Sequence, residues 1–385
     1  MIKFLAGRIS QMAVLFVLFL SLVWMMLQLM PGDISDTLIG NPNIPLQARL
    51  DLRDRLGLDA PLWEQYLTYI TNFFRGEMGV SFSRYPQDVS TVLWQALPRT
   101  LVLFLSATLL AFWLGFKTGK LIAWRRGAVT EQGLITSGIF LQTVFYPWFA
   151  IVMLWLFGFF LGWFPIGRFI DARLWQGSPY NANDLFLQMI LSVIVVSALY
   201  ALGRYLIARF SRNLVTRSRL GQVLAVLSIG SLLLYWWVNP ATEYVADIAH
   251  HTMLPVITLG LVAFGATMLL TRSAMLETLG EDYILTARAT GIPDSVIRDR
   301  HAARNAMLPV TTSLVQALAF VIGGGIVTET IFSWPGMGLI FLQAISVSDI
   351  PLAVGALSIT GVLALVGHLV ADILYAVLDP RIRIT

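Results

Sequence analysis

About eight stretches of this chain carry no Asp, Glu, Lys or Arg, and each approaches the ~20 residues needed to cross a hydrocarbon layer about 30 Å thick. They are Met12–Met30, Thr100–Phe116, Gln132–Gly167, Leu185–Gly203, Leu220–Thr242, Thr252–Thr271, Asn305–Thr328 and Ile350–Ala371. Pro147 and Pro165 divide the long third stretch, which reads as one kinked helix with an interfacial end. In a bilayer every backbone polar group must be satisfied within the segment, so such stretches are helices. The fold class is an all-α polytopic membrane protein with about eight transmembrane helices.

Composition supports that reading. Of 385 residues, 57% are hydrophobic and 12% charged, with mean hydropathy +0.74. Soluble domains run to roughly 45–50% apolar and 25% charged. A free soluble enzyme, a disordered chain and a compact nucleic-acid binder are excluded. The chain has no cysteine, so disulfides, Cys-ligated zinc and thiol catalysis are excluded as well. Four histidines make a His-rich metal centre unexpected, and no metal site is assigned.

Lys3 and Arg8 precede the first apolar run, as in a secretory signal. The run exceeds a signal core of about 7–15 residues, and no small-residue cleavage site follows, so it reads as an uncleaved helix. With the N-terminus in the cytoplasm, most of the 26 basic residues fall on the cytoplasmic side, among them Lys117, Lys120, Arg125, Arg209, Arg212, Arg217, Arg272 and Arg381. Both termini are then cytoplasmic. Exposed-type tryptophans such as Trp113, Trp148 and Trp163 stand near helix ends, as an interfacial belt requires.

Five divisions follow from this layout: 1–30, a first transmembrane helix; 31–98, an extracytoplasmic helical cap with helical spacing over Pro45–Leu58 and Pro61–Phe74; 99–184, helices two and three; 185–247, two further helices with a basic inner loop; and 248–385, a core carrying an inner elbow over about 272–308. In the elbow, Glu277–Thr290 reads as one helix broken by Gly291-Ile292-Pro293. Asp294 or Ser295 then caps a second helix through Arg304. Ala287, Ala289, Ala302, Ala303 and Ala306 leave the elbow thin, and Arg298, Asp299, Arg300 and Arg304 give it a charged rim.

Catalytic motifs are absent. Lys117-Thr118-Gly119-Lys120 imitates a phosphate loop, but Leu114 stands where the first glycine belongs and Leu121 follows the lysine. The segment reads as a basic anchor. His368 and Asp372 share a face of the last helix, and an interhelical polar contact is preferred to a proton relay. Glu329 and Arg272 are expected at helix ends, in reach of water. Gly323-Gly324-Gly325 suggests close helix approach rather than a bound ion.

Short motifs occur in a fixed order: Leu29-Met30-Pro31-Gly32-Asp33, Leu52-Arg53-Asp54-Arg55-Leu56-Gly57-Leu58-Asp59-Ala60-Pro61-Leu62, Gly79-Val80-Ser81 and Leu97-Pro98-Arg99-Thr100-Leu101. The elbow residues Asp282-Tyr283-Ile284, Thr286-Ala287-Arg288-Ala289-Thr290-Gly291 and Arg304-Asn305-Ala306-Met307-Leu308-Pro309 follow. Glu329-Thr330-Ile331-Phe332-Ser333-Trp334-Pro335-Gly336-Met337-Gly338 and Leu378-Asp379-Pro380-Arg381 close the series. Together they resemble the membrane-spanning permease subunit of bacterial ABC importers, in its dipeptide/oligopeptide/nickel branch.

That resemblance implies an inner-membrane permease, itself not an enzyme, that forms the path for peptides or similar small solutes. It implies an elbow seated in a cleft of a cytoplasmic ATPase subunit, with Asp282, Tyr283, Thr286, Ala287, Ala289, Gly291, Arg300, Arg304 and Pro309 as coupling residues. A second permease subunit, an extracytoplasmic substrate-binding protein, and ATP with Mg on the ATPase rather than on this chain are implied as well. Members of the branch have six spans. The surplus here lies around Leu185–Gly203 and Leu220–Thr242, and His368 stands where an asparagine is expected. Oligosaccharides or a chelated metal are the competing cargoes. A stand-alone secondary transporter or channel would need charged midplane residues and inverted repeats, which the sequence does not display.

Overall fold

The computed structural model describes residues 2–29, 60–125, 127, 129–210, 213–321 and 325–378. Among these, α-helices are α1 (Ile2–Leu29), α2 (Leu62–Arg75), α3 (Val89–Trp124), α4 (Val129–Thr143), α5 (Tyr146–Met153), α6 (Ala182–Phe210), α7 (Leu214–Val238), α8 (Thr242–Leu279), α9 (Asp282–Ala289), α10 (Asp294–Val296), α11 (Ala303–Val321), α12 (Ile326–Ile331), α13 (Met337–Ser346) and α14 (Ile350–Leu378). The described residues form no strand beyond an isolated bridge between Val80 and Asp88.

Among the described residues, six helices are long and apolar enough to cross a membrane: α1, α3, α6, α7, α8 and α14. They coincide with six of the expected stretches. The third stretch is more than a kinked helix with an interfacial end. It divides into α4 and a second arm, Tyr146–Phe160, bent by 109°, so the total reaches seven if the pair counts as one span. The cause is local: Pro147 occupies the first turn of α5, where its missing N–H costs nothing, and Phe145, the cap residue ahead of α5, is extended. The seventh stretch is also interrupted, because Gly325, in extended conformation, precedes the short α12. The expected eight therefore become six to seven. Of the expected outer cap, Pro61–Phe74 forms α2, whereas Pro45–Leu58 lies outside the described residues, as do Arg212, Gly323, Gly324 and Asp379-Pro380-Arg381.

The chain clusters into two compact units. One comprises residues 1–161 and 255–385. In it, Val89, Val92, Leu93, Ala96 and Leu97 of α3 pack with Met337, Ile340 and Ala344 of α13 and with Leu352, Ala356 and Ile359 of α14. Asp349, fully buried before α14, accepts the Ser83 amide at 2.9 Å and the Ser83 hydroxyl at 2.7 Å. Farther along α3, Gly115 and Gly119 lie against Thr267, Met268 and Thr271 of α8, close enough that a Cβ on Gly119 would sit 2.6 Å from the Met268 carbonyl oxygen. Two small residues four apart let helix backbones meet in this way. The glycine of the phosphate-loop imitation is therefore part of a helix–helix seam. Arg272 of α8 reaches the buried Glu131 of α4, whose other oxygen accepts the Gly127 amide at 2.6 Å.

The other unit is Gly162–Leu254 and contains α6 and α7. Trp236 Nε1 donates to Ser192 Oγ at 3.0 Å across that hairpin. Leu191, Leu199, Val226 and Leu233 are among many exposed apolar side chains on its flanks. A helix apolar on all sides is suited to hydrocarbon. Asp247 gathers the preceding loop by accepting the Asp171 amide at 3.0 Å and Trp175 Nε1 at 2.8 Å.

Candidate functional site

The elbow forms between α8 and α11, but not as one helix to Thr290. Gly280 and Glu281 make a turn after Leu279, and α9 begins afresh at Asp282. Asp282 in its first turn and Arg288 in its last oppose the partial charges of the helix ends. At the other end Gly291 takes φ +76°. Its N–H donates to Arg288 O at 3.0 Å, and the Ile292 N–H reaches Ala287 O at 3.2 Å. This paired closure around a left-handed glycine satisfies the last carbonyls and turns the chain sharply.

Pro293 then stands at the cap position of α10, where no side chain caps the amides, so neither Asp294 nor Ser295 performs the expected role. The second arm continues through a π-helical turn, Ile297–Ala302, into α11 and does not stop at Arg304. Pro309 lies inside α11.

Most of the elbow's alanines face inward. Ala287, Ala302, Ala303 and Ala306 join Ile284, Ile297, Ala274, Met275 and Ala123 in one buried cluster, with Phe116, Trp124 and Ile292 packed around it. Their small size draws the two arms together against the ends of α3 and α8, instead of thinning an outer edge. Of the five, Ala289 alone is exposed. Asp282, Tyr283, Thr286, Gly291, Arg300, Arg304 and Pro309 are exposed too, as is Leu285 at 69%. Tyr283 and Asn305 hold the two arms together by a 2.7 Å hydrogen bond, Asn305 Nδ2 to the phenol oxygen.

The elbow is fastened to α3 by Lys120, which the sequence reading took for a basic membrane anchor, and by Trp124. Lys120 Nζ lies 2.9 Å from Asp299 Oδ1, and the Arg288 guanidinium lies 5.6 Å from the Trp124 ring centre. Arg298 grips Asp299 through both nitrogens at 2.9 Å. These hydrogen bonds, with a smaller contribution from Lys120, hold the Asp299 carboxyl well below the usual carboxylate range. A basic anchor four residues before Trp124, with an acid on the elbow, was the available signal.

Glu329 is not in reach of water: it is fully buried. Thr100 Oγ1 donates to its Oε1 at 2.7 Å, and the Leu339 amide donates to its Oε2 at 2.9 Å. Thr100 also accepts the Met337 amide at 2.8 Å, and Trp334, fully buried, donates through Nε1 to Arg99 O at 3.2 Å. The loop Phe332–Gly336 is thus tied to α3. Asp372 is placed 3.4 Å from Arg8 of α1, an interhelical pair, and His368 is exposed one turn earlier.

Comparison with known proteins places these features. The model of the binding-protein-dependent transport system inner membrane component matches residues 209–384, and that of its N-terminal region matches residues 1–104. The chain is 30% identical over 383 residues to the di/tripeptide transport system permease protein DppB of Pseudomonas aeruginosa, covering 100% of this chain and 99% of that one. It is 30% identical over 392 residues to the dipeptide transport system permease protein DppB of Escherichia coli, with 100% and 99% covered. It is 29% identical over 354 residues to the oligopeptide transport system permease protein AppB of Bacillus subtilis, with 92% and 90% covered. With its bundle of apolar helices, the chain belongs to the binding-protein-dependent inner-membrane components, the multi-pass permease subunits of bacterial ABC importers.

Proposed function

We propose that this permease imports peptides and that its elbow, Asp282–Arg304, docks into a cytoplasmic ATPase subunit. The observation that carries the docking reading is the exposed arm α9, closed by Gly291 and backed by a packed cluster, so that a push on it moves α3 and α8 together. The peptide cargo rests on the names of the relatives, which transport dipeptides, di/tripeptides or oligopeptides. A second permease subunit completes the path, and an extracytoplasmic binding protein delivers the solute. ATP and Mg belong to the ATPase. The Lys117–Lys120 stretch is helix packed at Gly119 against α8 rather than a turn after a strand. We place both termini and the elbow in the cytoplasm, because most of the Lys and Arg residues of the connections then lie on that side.

ATP-driven closure of the ATPase pair would draw the elbows together and turn the membrane helices outward, and hydrolysis would reset them. The test is uptake of labelled dipeptides and oligopeptides by cells with and without the chain, beside a labelled oligosaccharide and chelated nickel. Peptide uptake that depends on the chain supports the reading. Dependence of one of the other cargoes alone would replace the substrate while leaving the docking reading intact.

A further inference from the structure

The helix α3 is unbroken over 36 residues and is fastened at two distant places. Toward its C-terminal end, Lys120 pairs with Asp299 of the elbow, while Phe116, Ala123 and Trp124 enter the elbow cluster. Toward its N-terminal end, Thr100 and Arg99 hold the Glu329–Met337 loop by four hydrogen bonds of 2.7–3.2 Å, the fourth running from Arg99 NH1 to Pro335 O at 3.1 Å. A rise of 1.5 Å per residue separates Thr100 from Lys120 by about 30 Å, the thickness of a bilayer core. Between the fastenings, Gly115 and Gly119 seat α3 directly against Thr267, Met268 and Thr271 of α8.

From this geometry we propose that Lys120 and Asp299 are positioning residues that transmit elbow movement into α3, which delivers it to the Glu329–Trp334 loop at the far membrane face. The proposal rests on the docking reading above. An α-helix is stiff along its axis, and a charge pair at its foot resists both withdrawal and sideways slip of the elbow. The apolar cluster carries the push into α3 as well, and the charge pair adds a directional contact to its non-directional packing.

The test uses the assembled importer in membranes: Lys120→Glu, Asp299→Lys, the double exchange of both charges, and Gly291→Val as a reference. Measured together are ATPase co-purification, ATP hydrolysis, labelled-peptide uptake and the ATP-dependent change in thiol modification of Thr330→Cys, which is the only thiol in an otherwise cysteine-free chain. Lys120→Glu, outside the docking elbow, is expected to keep the ATPase bound and active while uptake falls about tenfold and the Thr330→Cys response disappears. In the double exchange the new glutamate faces the new lysine and Arg298 together, so uptake and the thiol response are expected to recover above those of Lys120→Glu. Should a reversal fail to accumulate, Lys120→Gln and Asp299→Asn are judged instead, with the same direction and a loss of about threefold. Unchanged uptake and thiol response, or singles whose loss the double exchange does not repair, would overturn the proposal. Loss of ATPase co-purification in Lys120→Glu would also overturn it, by making the pair a docking contact, and would leave the docking reading standing. Retention of both ATPase binding and uptake in Gly291→Val would instead defeat the docking reading.

Discussion

Arg272 donates to Glu131 Oε1 through Nε at 2.9 Å and through NH2 at 2.6 Å, tying α8 to the first turn of α4. The Glu131 side chain is 5% exposed and that of Arg272 is 25% exposed, so the pair is largely withdrawn from solvent. Truncating one partner of such a pair strands the other charge, which is far costlier than losing a surface ion pair.

Glu131→Ala should therefore destabilise the detergent-solubilised protein by about 2–4 kcal/mol, with Glu131→Gln milder because the amide can still accept from Gly127. Thermal unfolding followed by tryptophan fluorescence measures it. A loss no larger than that of an exposed ion pair would contradict the assignment.

Packing at the α3–α8 seam separates two glycines that look alike in sequence. A Cβ at Gly119 meets the backbone of Met268 and the side chain of Thr271, whereas a Cβ at Gly230 in α7 meets nothing within 4 Å. Gly119→Ala should cost about 1–3 kcal/mol through overpacking. Gly230→Ala should be neutral or stabilising by up to about 1 kcal/mol in a helix interior. Parallel melting curves decide between them.

The depressed Asp299 carboxyl makes the elbow sensitive to acid. The group is ionised in the folded chain at pH values where the unfolded chain would begin to protonate, so its contribution is present above about pH 4. It is lost as pH falls through the lower folded value. Hydrogen exchange at the amides of Ile297–Ala302 should stay protected from neutral pH down to that range and loosen below it. In Asp299→Asn the acid-dependent step should vanish. The effect will be modest, because Asp299 is 40% exposed and screened by water.

Much of the architecture was legible because spanning helices are written in long runs without charge, and α1, α3, α6, α7, α8 and α14 appear where those runs lie. What escaped was set by backbone geometry rather than hydropathy. The 109° break before Pro147 and the extended Gly325 before α12 leave the apolar content of their stretches unchanged. The turn at Gly291 was readable from Gly-Ile-Pro, and its positive φ bears the reading out. By contrast, the inward direction of Ala287 and Ala302 depends on which face of a short helix meets α3, and composition alone does not specify that. Glu329 was misjudged for a related reason. A carboxylate at a helix end was expected to reach water, but Thr100, 229 positions earlier, and the Leu339 amide enclose it.

The central claim is that the elbow converts ATPase movement into transport, and Gly291 is the residue on which its shape turns. A side chain there has open space around it, so the penalty is conformational alone: a β-branched residue at φ +76° costs about 1–2 kcal/mol or more. Insertion of the apolar helices does not depend on this turn. Membrane abundance, ATPase co-purification and labelled-peptide uptake should be measured in the same cells carrying Gly291→Val. The account predicts normal abundance, weakened ATPase association or idle hydrolysis, and lost uptake, while Gly291→Asn, which tolerates the left-handed conformation, keeps most of its function. Full uptake with Gly291→Val at normal abundance would contradict it.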